Sequence, residues 1–412
     1  MHITYSCNTQ IQYRLASLTE YCILGVAFFL PLSLDMSTLF LGLGTALWAC
    51  KMIVSKKLLL KRTPFDEIIA LFVILSAASI AVSPDKDFSF YNYYHLMGRY
   101  ILVYYLVINN LTSINQLQRL IYAVLSSAVL VTFYGFYQYI HGVDISAFQW
   151  VDGEQFPELK IRIFSTLKNP NLLAGFLVVV MSLAAGLGLH TEKIKDKLLL
   201  FVLVAVLGTC LVLTYSRGAW LSIVAVTAIY GRLYNRKILW VLLLIPALVL
   251  FCQDAVMERL MSIVNPTDTS STLRIALWES TIAMILDKPF LGIGWGAYWL
   301  VYPEYDFFLS DPTIKIFHAH NMYLHIAAEI GIPGLIVFLA IIYGHTKKAM
   351  DVLTHTKNRW VAGLMLGVVT AVMGLAVSGF TDYIMFNVQM SMLFWLLSAV
   401  VIAVWEVNRR YI

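Results

Sequence analysis

Apolar runs of about 15 to 25 residues recur along almost the whole chain, the length that a hydrocarbon core of roughly 30 Å requires. No other feature constrains the fold as strongly. Backbone groups in lipid must be satisfied within their own segment or a closed sheet, so runs of this kind are helices. Composition agrees. Charged residues make up 13% of the 412, whereas a soluble chain of ordinary composition carries roughly twice that fraction. The mean hydropathy is +0.76. The sequence therefore predicts an all-α polytopic membrane protein, a single integral-membrane domain over residues 1–412. About 12 transmembrane helices are expected, at 18–34, 36–54, 66–83, 95–109, 117–140, 170–189, 198–215, 219–234, 238–252, 320–344, 360–380 and 388–406. The first two can also be read as a hairpin turning at Asp35.

Loop charges set the expected orientation. One set of loops carries Lys51, Lys56, Lys57, Lys61 and Arg62, then Lys193, Lys195 and Lys197, then Arg232, Arg236 and Lys237. The same side continues with Lys347, Lys348, Lys357 and Arg359 and ends with Arg409 and Arg410. The positive-inside rule puts these loops and both termini in the cytoplasm. The net charge of +5 is mostly this topological signal and does not point to nucleic acid. The first apolar run lacks a small-residue cleavage site, so no cleavable leader is expected. The five cysteines show neither metal spacing nor a disulfide framework. The longest connection, residues 253–319, faces outward as a periplasmic loop carrying short amphipathic helices. Chemistry, if present, is expected on that face.

Several polar groups stand where lipid would not favour them. His320 and Asn321 open the tenth apolar run, preceded by His318. An imidazole exchanges protons near neutral pH and suits a general base. Asn321, His325 and Glu329 fall at helical spacing on one face, with Glu329 about 13 Å below His320 in a continuous helix. An acid at such depth faces a protein interior or a wet cavity. Arg217, in Thr214-Tyr215-Ser216-Arg217-Gly218, is an outward cation that the charge rule disfavours. It is either a snorkelling interface residue or a bidentate partner for phosphate. Arg274 falls in the first turn of an amphipathic helix expected over 271–286, where the helix dipole favours an anion. Arg274 and the free N–H groups there can hold one together, or the arginine pairs with Glu279 or Asp268 at the surface. Gly292-Ile293-Gly294-Trp295-Gly296 is neither a Walker loop nor a dinucleotide fingerprint. It reads as a tight turn bringing Trp295 and Tyr298 to the membrane surface. Asn169-Pro170-Asn171 is a helix start, and Lys168, Asn169 and Asn171 can also rim the same outer cavity. Arg99 is a further outward cation, beside a belt of tyrosines. A metal held by His318 and His320 is disfavoured, because HExxH and cysteine-rich spacings are absent.

Four of these pieces occur in a recognisable order. They are Asn169-Pro170-Asn171, the Ser216-Arg217-Gly218 junction, the Arg274 helix leading to the glycine-rich turn, and His320-Asn321 followed by Gly331 and Gly334. Together they resemble the O-antigen ligase family, whose relatives include O-antigen polymerases and protein O-oligosaccharyltransferases. The resemblance implies a membrane glycosyltransferase in the inner (plasma) membrane, working on its periplasmic face. The implied donor is a glycan on undecaprenyl diphosphate, and the implied acceptor is a sugar hydroxyl of lipid A–core. It implies no cofactor, no nucleotide and no metal. It casts Arg217 and Arg274 as binders of the donor diphosphate and His320 as the base, and transfer in a single displacement inverts the anomeric centre. His318, Asn321, Lys168, Asn169, Asn171, Arg99 and Glu329 are accessory candidates. A modest outer loop and the lack of an extra C-terminal domain favour ligation over protein modification.

Other classes leave different marks. A secondary transporter, such as the bicarbonate type, concentrates ionisable groups and broken helices at the midplane. Here the candidates gather in the outer third, with Glu329 the only deep acid. A scaffolding protein has no need of outward arginines beside a histidine.

Overall fold

A computed structural model describes residues 2–142, 162–243, 269–306 and 315–409, with the backbone only at 2–9, 243, 269 and 270. The described residues fold into helices. In chain order these are α1 (His2–Phe29), α2 (Leu34–Ser55), α3 (Asp66–Ser79), α4 (Lys86–Asn110) and α5 (Ile114–His141). Then come α6 (Pro170–His190), α7 (Ile194–Val212), α8 (Arg217–Leu233), α9 (Thr269–Asp287) and the single turn α10 (Tyr298–Val301). The chain ends with α11 (Met322–His355), α12 (Arg359–Ser378) and α13 (Val388–Arg409).

Among the described residues, six helices are long and apolar enough to cross a membrane: α2, α5, α6, α11, α12 and α13. Those are the marks of a multi-pass membrane protein. Other expected spans are helical but shorter or more polar. α3 and α8 have 14 and 17 residues, α7 opens with Lys195, Asp196 and Lys197, and α4 carries tyrosines, His95 and Arg99. The ninth expected span, 238–252, falls mostly outside the described residues. Its described start is a 3-10 helix, Arg236–Leu243. The turn between α1 and α2 comes just before Asp35, where Ser33 caps α2 by accepting the N–H of Met36.

α6, α12 and α13 form the centre. α13 is buried almost continuously from Met390 to Val404, as expected of a helix apolar all round. α6 and α12 touch backbone to backbone, since a Cβ on Gly186 would overlap the Gly363 carbonyl. Small residues permit this approach where lipid offers no hydrophobic drive for association.

α11 is not the continuous helix that its hydropathy predicts. Gly331 has φ 75° and ψ 170°, two residues before Pro333. The break frees the carbonyls of Ala328 and Glu329, and the glycine-rich turn satisfies them. Ile293 N–H donates to Ala328 O at 2.8 Å, and Gly294 N–H to Glu329 O at 3.1 Å. From the other side Ile332 N–H donates to Pro289 O at 2.8 Å. A Cβ on Gly292 or on Gly331 would overlap this backbone contact. The turn therefore does not display Tyr298 at the membrane surface. Tyr298 is fully buried, because the 292–296 segment is spent as a plug in the broken helix.

Candidate functional site

Three helices begin at one place. The N-termini of α6, α8 and α11 all meet the loop joining α12 to α13. Met322 N–H donates to Gly379 O at 2.8 Å, Gly218 packs against the Thr381 hydroxyl, and Asn171 Nδ2 donates to Asp382 Oδ2 at 2.7 Å. Asn169 caps α6 by accepting the N–H groups of Asn171 and Leu172. Asn321 caps α11 in the same way, accepting from Tyr323 and Leu324 at 3.0 Å each, and its amide donates to Phe380 O. Their first role is thus to end helices.

The residue before each N-cap is left-handed: Lys168 has φ 59°, Tyr215 φ 53° and His320 φ 47°. This region is uncommon for residues with a Cβ, and strain of this kind gathers at functional sites. Here it turns the chain sharply into each helix. Three N-termini pointing at one loop sum their dipoles into a positive field suited to an anion.

Asp382 sits at the focus. Its Oδ1 lies 3.2 Å from His320 Nδ1, while its Oδ2 accepts from Asn171. Arg162 joins from the side, donating through Nε to Thr214 O at 3.0 Å and through a terminal nitrogen to Asn171 Oδ1 at 3.3 Å. Burial by itself would raise the Asp382 carboxyl. The hydrogen bond from His320 and, after it, the fixed charge of Arg274 outweigh it and hold the carboxyl well below its usual range. His318 shifts the other way for an imidazole. Burial first, then its neighbour His320, push it well below the ordinary histidine value, so it stays neutral. Its ring lies 4.1 Å from that of His320, and its Nδ1 accepts the His320 N–H at 3.3 Å.

Beneath this pair stands His325, completely buried between the rings of Tyr298 and Tyr383. Its Nδ1 accepts the Ala319 N–H at 3.4 Å. Its Nε2 is 3.2 Å from Glu329 Oε1, without the alignment of a hydrogen bond. Glu329 also accepts the Tyr298 N–H at 3.4 Å. The deep acid thus serves the fold around the histidine loop.

The sequence candidates separate accordingly. His318, His320, Asn171 and Arg274 gather around Asp382, and Arg217 opens α8 beside Thr381. Arg274 is not in a first turn as expected. α9 begins at Thr269, so Arg274 lies in the second turn and acts on His318 and Asp382 through its charge. Lys168 is exposed. Arg99 belongs elsewhere, in a groove with Asp35 and Gly42 of α2, its guanidinium donating to His95 O. Asp382 and Arg162 escaped the sequence reading. An aspartate in a short loop between two apolar runs has no periodicity or motif to mark it.

Donor atoms of His318, His320 and Asp382 lie within 4.8 Å of one another, a spacing that can hold a metal ion. Arg274 is in electrostatic reach of the same carboxylate. A cation bound there would meet that fixed charge, which disfavours it.

Residues 199–339 match the family model described as O-antigen ligase. The chain carries an O-antigen ligase domain. No curated protein matches the chain. The O-antigen ligase segment holds Arg217, Arg274, His318, His320 and Glu329, whereas Asn171, Arg162 and Asp382 lie outside it. The dyad at the focus is therefore shared between the matched segment and the helices packed around it.

Proposed function

We propose that this protein transfers a glycan from undecaprenyl diphosphate to a sugar hydroxyl of an acceptor, as in ligation of O-antigen to lipid A–core. The observation that carries the proposal is the His320–Asp382 pair at the meeting point of three helix N-termini. The matched O-antigen ligase segment supports the same reaction class.

The chemistry runs as one displacement. His320 donates its Nδ1–H to the ionised Asp382, which leaves Nε2 with a lone pair for the acceptor hydroxyl. As the hydroxyl oxygen bonds to the anomeric carbon, its proton passes to Nε2. The bond from that carbon to the diphosphate oxygen breaks, and the electron pair leaves with the lipid diphosphate. Attack opposite the leaving group inverts the centre. Arg217 and Arg274 meet the charge that grows on the diphosphate, and the converging helix dipoles add to them. Asp382 orients the imidazole and stabilises its charged form without taking the proton.

In this reading that end of the bundle faces outward, with both termini cytoplasmic and about twelve crossings of the inner membrane, and the distribution of loop charges supports it. In this reading the whole chain is one integral-membrane unit, and residues 253–319 are its periplasmic segment. Polymerisation and protein glycosylation use the same donor chemistry and differ only in the acceptor.

The deciding assay mixes purified protein with a lipid-diphosphate glycan and offers lipid A–core, a second glycan lipid and a peptide as rivals. Transfer to lipid A–core with release of lipid diphosphate is expected. No transfer to any of the three would remove the proposal, and transfer to another acceptor alone would replace ligation by the corresponding reaction.

A further inference from the structure

A groove of about 500 Å³ opens between α2 and α4, lined by Asp35, Thr38, Leu39, Gly42, Leu43 and Arg99. α2 has 22 residues, about 33 Å of helix, which suffices to cross the hydrocarbon core. Asp35 stands in its first turn. That end is tied to the starts of α6 and α13. Thr166 Oγ1 donates to Pro31 O and Gln389 Nε2 to Leu30 O, each at 2.6 Å. It is thus the end of the bundle that carries the His320–Asp382 pair. From Asp35 to Leu43 the groove descends about 12 Å along the helix, within the depth of one leaflet.

Arg99 is partly buried in this groove. An arginine on a membrane span is costly unless something pairs with it. One terminal nitrogen donates to His95 O at 3.2 Å. Among the described residues no carboxylate pairs with the guanidinium, and Asp35, exposed at the mouth of the groove, has no cation of its own. Two opposite charges share one groove without closing on each other. There is room between them and the helices. A Cβ added to Gly42, or to Gly98 beside Arg99, meets nothing within 4 Å. Leu39 and Leu43 are exposed along the same wall.

The occupant has to match that charge pattern. A guanidinium fork engages two oxygens of a phosphate. A carboxylate in the same groove repels a second anion and accepts the N–H donors of a primary ammonium. Phosphate and ammonium joined by two carbons make the ethanolamine headgroup, whose charges sum to zero as those of Arg99 and Asp35 do. A glycerol headgroup leaves the carboxylate facing an uncompensated phosphate, and a choline headgroup offers it no N–H. We propose that the groove between α2 and α4 holds one ethanolamine phospholipid, its phosphate on Arg99, its ammonium at Asp35 and an acyl chain along Leu39 and Leu43, so that the lipid bridges the two helices. The site lies apart from the His320–Asp382 pair, and it stands whether or not the transfer reaction does.

Native mass spectrometry of the purified full chain tests this. Phosphatidylethanolamine, phosphatidylglycerol and phosphatidylcholine with identical acyl chains are titrated separately. Wild type is expected to retain the ethanolamine lipid with an affinity about tenfold or more above the other two, the scale of one charge-assisted hydrogen bond. Arg99→Gln removes the fork, and Gly42→Leu fills the groove from the other helix with both charges kept. Each is expected to abolish the preference, and if one of them fails to fold the other decides. Asp35→Asn is expected to weaken the ethanolamine lipid and not phosphatidylglycerol. Because the bound lipid stabilises the folded chain, phosphatidylethanolamine should raise the melting temperature of wild type in detergent and leave that of the variants where it was.

Equal retention of the three lipids by wild type overturns the site. An ethanolamine preference undiminished in Arg99→Gln and Gly42→Leu overturns it too, because the lipid then sits elsewhere. A preference for phosphatidylglycerol that Asp35→Asn does not alter overturns the ethanolamine assignment.

Discussion

His320 and Asp382 are 62 positions apart in sequence and 3.2 Å apart in the folded chain. One stands at the mouth of α11 and the other in the loop from α12 to α13. An ionised Asp382 favours the tautomer with its proton on Nδ1, which leaves Nε2 as the basic nitrogen that the proposed reaction uses.

Asp382→Asn is expected to lower the transfer rate by about 10²- to 10⁴-fold, the range that a positioned base contributes. His320→Ala should do the same, and the double variant should be little worse than either single one, because the two act as a unit. Turnover under saturating donor is the measurement. Additive losses would separate the two residues.

Arg217→Ala and Arg274→Ala are each expected to abolish transfer while the protein stays in the membrane. Lysine should rescue poorly, because it lacks the planar fork that engages diphosphate oxygens in pairs. Removing Arg274 also withdraws positive charge from Asp382. Binding of a lipid diphosphate to the purified variants, compared with wild type, checks both roles. Unaltered affinity in one variant would take that arginine out of the site.

The plug in α11 makes a stability prediction. Gly331→Ala and Gly292→Ala each force a Cβ into backbone at positive φ. A cost of about 1–3 kcal/mol is expected at each position, read as a lower melting temperature in detergent. Gly98→Ala, whose added Cβ meets nothing within 4 Å, is the control and should melt like wild type.

His318 gives the protein an acid-sensitive element. Its folded pKa is held well below the ordinary histidine value, first by burial. The unfolded chain therefore takes up this proton first as pH falls. The stability involved is complete above about pH 6.5 and is lost below it. Between pH 7.5 and 5.5 the melting temperature of wild type should fall further than that of His318→Gln. Equal falls would show that His318 does not carry the effect.

Metal removal tests the His318–His320–Asp382 triad directly. EDTA is expected to leave transfer unchanged. Loss of activity that one specific metal restores would recast the triad as a metal centre.

Much of this was legible in the sequence. The length of the apolar runs dictated helices, and α6, α12 and α13 stand where the hydropathy predicts them. His320, Arg217 and Arg274 were conspicuous because lipid and the charge rule both disfavour them there. Asn169 and Asn321 were legible as helix starts, and the structure shows both as caps. The break at Gly331 was less visible, because a Gly-x-Pro step inside a long apolar run leaves the hydropathy high on both sides.

By itself, then, the sequence determined the membrane class, the helical content and the polar residues that need a reason. It determined these because solvation is local: each run either suits a hydrocarbon layer or does not. Only the tertiary structure decided that Asp382 faces His320, that Asn171 completes the carboxylate's shell, and that Tyr298 is buried against His325. Those contacts join segments from distant parts of the chain, and their geometry is set by which helices pack side by side. A periodicity or a spacing within one segment carries no record of that choice.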